Sequence, residues 1–177
     1  SFVNYKFYFL FFAIGMTSAA WFGHGLQAYV GFNWKIIGWV MSATALLSME
    51  IGSIKELKNI IPNKIISLLQ VLFIVQYVVM VSLMVSSKNF VIPQLNSTIS
   101  LVLFVIPIQL IAYIQTKKIG HAYIFGAIIY GALPGLIYNN QISVSKWFNY
   151  HDISHVLMAI FMFVIFKGTS NISFLKR

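Results

Sequence analysis

Six times over, this chain runs apolar for about the twenty residues a helix needs to cross a bilayer, with only short polar breaks between the runs. The runs lie at roughly 4–27, 35–54, 64–86, 97–116, 119–138 and 148–167. Inside lipid, backbone N–H and C=O groups find no water, so each run is expected to pair them internally as a helix. In a soluble domain about a quarter of the residues are charged. Here 8% are charged and 59% apolar, and the mean hydropathy is +0.85. The expected fold is therefore an all-α integral membrane protein of six transmembrane helices. It forms a single domain over 1–177, without room for a separate soluble one.

The charges that remain point to orientation. Lys6, Lys55, Lys58, Lys64, Lys117, Lys118, Lys167, Lys176 and Arg177 fall on one side of an alternating path, which makes nine, against Lys35, Lys88 and Lys146 on the other, which makes three. Cytoplasmic loops are the ones enriched in Lys and Arg. Both ends of the chain are thus expected in the cytoplasm, in a bacterial inner membrane, to which the Lys-rich, Ile- and Asn-rich composition faintly points. The net charge of +9 is scattered singly or in pairs, so it reads as topology and not as a nucleic-acid surface. No cysteine is present, which excludes disulfides, thiolate zinc sites and thiol nucleophiles. Any metal has to be held by His and oxygen.

Gly15, Ala19 and Gly23 repeat every four residues, as do Gly131 and Gly135, and such stripes let helices approach closely in lipid. Pro107 and Pro134 fall inside spans four and five and are expected to kink them. The sequon Asn96-Ser97-Thr98 is placed on the outer side, where a secretory pathway would find it usable.

Ionisable groups inside spans are costly and mark function by default. His24 falls near the outer end of the first span, and His151 and His155 fall in the first turns of the last, which enters from that same side. Residues four apart share a helix face, so His151 and His155 have the spacing of two imidazoles on one metal. His24 supplies a third ligand, leaving the fourth tetrahedral position to water, as in a catalytic zinc site. Interfacial histidines among headgroups are the plain alternative. His121 opens the fifth span at the opposite end and is excluded. Asp152 is read equally as a proton-handling group beside the metal and as a cap on the last helix. Glu50 is expected at the cytoplasmic surface with Lys55 and Lys58. Lys35, Tyr138, Asn139, Asn140, Asn149 and Tyr150 fall near the outer level, some as pocket candidates, although interfacial residues and caps are the default reading.

The stretch from Gly15 through Thr17, Ser18, Ala20 and Trp21 to His24 resembles the second helix of the superfamily that joins alkaline ceramidases to adiponectin-type receptors. The segment Phe148 through His151, Asp152 and His155 to Gly168 is similar to that family's last helix, and Tyr138-Asn139-Asn140 resembles the polar end of its penultimate one. The resemblance implies a seven-helix core of which this chain lacks the first, a zinc ion in the outer half of the membrane, and hydrolysis of a long-chain lipid amide or ester. Ala20 stands where the family has its serine and Lys35 where the ceramidase aspartate would fall, with Ser18 nearby.

Three functions are consistent with these residues. The first is a zinc-dependent membrane hydrolase taking its substrate from the lipid, with His24, His151 and His155 on the metal, Asp152 as base, and Ser18, Lys35, Tyr138 and Asn139 lining the pocket. The second is a non-catalytic subunit or receptor-like module of the same fold within a larger membrane complex, favoured by Ala20 and Lys35. The third is a haem or quinone site in a respiratory subunit, which needs only two of the three histidines.

Overall fold

The computed structural model describes residues 2–26, 29 and 31–174, excepting the side chains at 23–25, 173 and 174. Among the described residues all regular structure is helical. Helix α1 (Phe2–Ser18) continues as a π-helix, Ala19–Gly25; α2 (Asn33–Ile54) closes in a 3-10 turn, Lys55–Leu57; α3 is Asn63–Ser87. Next come α4 (Val91–Thr98), a second π-helix (Ile99–Val105) and α5 (Ile106–Thr116), then α6 (Ile119–Tyr130), α7 (Ala132–Asn139) and α8 (Tyr150–Phe174).

Five described segments are long and apolar enough to cross a membrane: Asn33–Leu57, Asn63–Ser87, Val91–Thr116, Ile119–Asn139 and Tyr150–Ile172. They correspond to the second through sixth expected runs. The first run is helical as well, but the 17 residues of α1 span only about 26 Å at 1.5 Å each, short of a hydrocarbon core of about 30 Å.

Helix ends follow from local chemistry. Gly31 has a φ of 69°, a left-handed turn that opens α2 without the clash a Cβ would bring. Pro62, which has no N–H to satisfy, precedes α3, and its carbonyl accepts from Ile65 N at 3.0 Å. At the far end Lys88 adopts φ 52° and its N–H reaches Met84 O at 3.2 Å, an αL stop made here without glycine.

The chain divides into two compact units, residues 1–108 and 109–177. In the first, α1 lies against α2 through small residues. A Cβ on Gly15 would sit 2.8 Å from Ser42 Oγ and 3.2 Å from Gly38 O, and one on Gly38 would sit 3.2 Å from Gly15 O, so the two backbones lie close together here. This is the close approach expected of Gly15, since lipid gives no hydrophobic drive and packing contacts must hold the pair. Farther along, Ala43, Met80 and Met84 form a buried cluster with Trp39, Tyr77 and Ile99 against it. Most of α3 is apolar and exposed, as at Leu68, Val71, Val75 and Val79, which suits a lipid-facing helix.

In the second unit α6 and α8 cross at Gly120 and Gly168. A Cβ on Gly120 would fall 2.5 Å from Gly168 O, and one on Gly168 would fall 2.8 Å from Gly120 O. The expected glycine stripe is only half realised: Gly131 lies under the Phe161 ring, whereas Gly135 meets nothing within 4 Å. Pro134 cannot donate to the carbonyl four residues back, and the helix breaks into α6 and α7 around Gly131. Pro107 has a gentler outcome, with the turn before it widened into the π-helix Ile99–Val105, an arrangement that makes room for a ring lacking an N–H.

Candidate functional site

The start of α8 is held by a reciprocal cap. Asn149 Oδ1 accepts from His151 N at 2.9 Å, and Asp152 Oδ2 accepts from Asn149 N at 3.0 Å. Two of the four otherwise unsatisfied N–H groups near the helix start are thereby paired, and the carboxylate sits at the positive end of the dipole. Of the two readings of Asp152, the geometry exhibits the cap. The side chain is exposed.

His151 is half-buried beneath two aromatic rings, 4.2 Å from that of Tyr150 and 5.2 Å from that of Tyr138, centroid to centroid. Tyr138 and Tyr150 meet edge to face at 5.5 Å. One turn on, His155 Nδ1 lies 2.6 Å from His151 O. A carbonyl only accepts, so Nδ1 carries the proton and Nε2 becomes the lone-pair nitrogen of that tautomer. A donor bond of this kind to a backbone carbonyl is what usually orients a metal-ligating histidine. Ser154 ties the helix start to α7, donating to Tyr150 O at 2.6 Å and lying 3.1 Å from Pro134 O.

Tyr138 and His151 are thus brought together with Tyr150, while Asn139 is exposed at the end of α7. Ser18 packs its Cβ 3.6 Å from where a Cβ on Gly38 would be, in the α1–α2 contact. Lys35 is half-buried, its Nζ 5.6 Å from the centroid of the Phe32 ring. The backbone of His24 belongs to the first π-helix, but its side chain lies outside the described residues. Among the described residues no three His, Asp or Glu side chains gather as a metal site. His151 and His155 supply the imidazole nitrogens that suit zinc.

Two expectations change in the interior, and a third residue there gains a partner. Glu50 is not at the surface with Lys55 and Lys58: it is 1% exposed, because its position on α2 faces the packed helices, whereas Lys55 is exposed and donates to Asn4 Oδ1 at 3.1 Å. Asn96, 3% exposed, accepts on Oδ1 from Gln76 Nε2 at 3.3 Å inside a helix, so the sequon is not presented to solvent. His121 is 1% exposed and its Nδ1 lies 2.7 Å from Oε1 of the equally buried Gln109. On sequence alone Glu50 falls at the surface, Asn96 reads only as part of a sequon and His121 is set aside. A carboxyl, two amides and an imidazole within apolar runs were the signal that could have marked them.

A protein family of unknown function, DUF6962, matches residues 1–173, and the chain belongs to it. No curated protein and no solved structure matches the chain.

Proposed function

We propose that this chain is a six-span membrane protein that binds zinc through His151 and His155 at the start of α8. In this reading it serves as a non-catalytic subunit or receptor-like module of a membrane complex. The observation that supports the metal is the 2.6 Å contact of His155 Nδ1 with His151 O, a donor bond of the kind that orients metal-ligating histidines. The observation that favours a non-catalytic role is the engagement of Asp152 with Asn149 N, since a structural cap is sufficient reason for that acid. Ala20 and Lys35, in place of the serine and aspartate of the ceramidase-like superfamily, support the same conclusion. The sixth span is α1 with its π continuation, and the nine-to-three distribution of Lys and Arg supports cytoplasmic ends in a bacterial inner membrane.

A second reading, a zinc-dependent hydrolase of lipid amides or esters, is favoured by the exposure of Asp152 next to His151. When bound, the metal would supply Lewis-acid chemistry at a carbonyl. Asp152 would then hold the proton given up by water. One experiment addresses both. Metal is measured by mass spectrometry on protein purified without chelators, before and after His151→Ala with His155→Ala, and the same samples are incubated with long-chain lipid amides. About one zinc per chain, lost in the double variant and accompanied by no turnover, is the expected result. Zinc retained in the double variant would overturn the site, and zinc-dependent turnover abolished by Asp152→Asn would establish the hydrolase.

A further inference from the structure

The unit formed by residues 1–108 contains a carboxyl group that no role yet described uses. Glu50 lies on α2 four residues before its end at Ile54, and 1% of it is exposed. Its Oε1 has no hydrogen-bond partner. The Ser100 hydroxyl is the side-chain partner of the carboxyl, which places that bond on Oε2. Ser100, 1% exposed, is the second residue of the second π-helix, against which α2 packs. Its Oγ accepts from Gln76 Nε2 at 2.9 Å, and the second bond of that amide goes to Asn96 Oδ1. Gln76 is near the middle of α3, so the carboxyl is joined to the interior of the spans and not to their ends.

The donors in this network run in one direction, from the Gln76 amide to the Ser100 hydroxyl to Glu50. The Ser100 and Asn96 oxygens already accept from that amide, so they are poorly disposed to ligate a metal cation, which needs several oxygens at once. What remains is a single carboxylate oxygen without a donor, in surroundings where an uncompensated charge is very costly. The neighbouring ionisable groups do not provide a counter-ion. On α1, Tyr5 and Tyr8 are buried phenols, and Lys6 is exposed over the Phe2 ring. Beyond α2, Lys55 and Lys58 are exposed, Lys55 is bound to Asn4, and Glu56 is a second acid. On α3, Lys64 is exposed and the Tyr77 hydroxyl meets Thr44 Oγ1 at 3.1 Å. The segment from α4 through the second π-helix has no titratable side chain.

We propose that Glu50 is a proton-binding site within the membrane, taking up one proton on Oε1 from the aqueous phase while Ser100, itself held by Gln76, keeps the other oxygen in place. The step forms one O–H bond, turns a carboxylate into a carboxylic acid and changes the local charge from −1 to 0. Loss of the proton leaves a charge that only water or a cation entering between α2 and the second π-helix relieves. Proton binding is thereby coupled to the packing of these helices.

The test is infrared spectroscopy of the full chain in phosphatidylcholine vesicles at neutral pH, reading the C=O stretch of protonated carboxyl groups. The expected result is a band that Glu50→Gln removes, that Asp152→Asn leaves in place and that exchange of potassium for sodium does not alter. Glu50→Gln preserves shape and neutrality. Ser100→Ala is the second variant, expected to shift the band because the acid loses its partner. Absence of the band from the wild type overturns the proposal, and so does its abolition by sodium, which would make the ligand a metal cation. A band unmoved by Ser100→Ala contradicts the network.

Discussion

The two acids that matter in this protein, Glu50 and Asp152, occupy opposite kinds of environment. Asp152 is exposed, next to a histidine and within a capping arrangement. Glu50 is buried, remote from any histidine in sequence, and one of its oxygens is left without a partner. Proximity to an apparent motif therefore says less about a carboxyl than its solvation does. A cap stabilises in water and needs nothing further, whereas a lone carboxyl among packed apolar helices requires a proton or a cation to exist there at all.

That contrast can be broken at several points. The largest effect is expected at the α6–α8 crossing, where Gly120→Val would force backbone apart at Gly168; a loss of about 3 kcal/mol is expected in reversible denaturation in detergent. Gly135→Ala, with open space around it, should leave the same transition unmoved, and equal losses at both would refute the packing. Ser100→Ala comes next. It strips Glu50 of the Ser100 hydroxyl and is expected to cost about 2 kcal/mol by the same assay. A neutral outcome would mean that the buried network is slack. Asn149→Ala removes the cap acceptor and should lower stability by about 1 kcal/mol, measurable as a reduced melting temperature. Were Asp152→Ala to leave melting unchanged, the cap would not explain that acid, and its proton-handling role would gain ground.

The helical class and the positions of the long spans could be read from hydropathy, because lipid allows few alternatives to a helix. Gly15 was legible as a contact for the same reason. What could not be read was which face of each helix turned inward. Glu50 stands seven residues before Leu57, close enough to Lys55 and Lys58 to suggest a surface, and only the packing of α2 decides otherwise. Gly120 and Gly168 escaped notice because they lie on different helices and form no stripe within either one. At the start of α8, residue spacing placed His151 and His155 correctly on consecutive turns. The bond between His155 Nδ1 and the carbonyl of His151 depends on a rotamer that spacing does not reveal.

The most direct measurement is X-ray absorption at the zinc edge on the purified wild-type chain, alongside His155→Ala and Asp152→Asn. Scattering from imidazole nitrogens, reduced by His155→Ala and unchanged by Asp152→Asn, is the result that fits a histidine-held zinc with a structural Asp152. A chain that holds no stoichiometric zinc, or one whose zinc is ringed by oxygen alone, would contradict it.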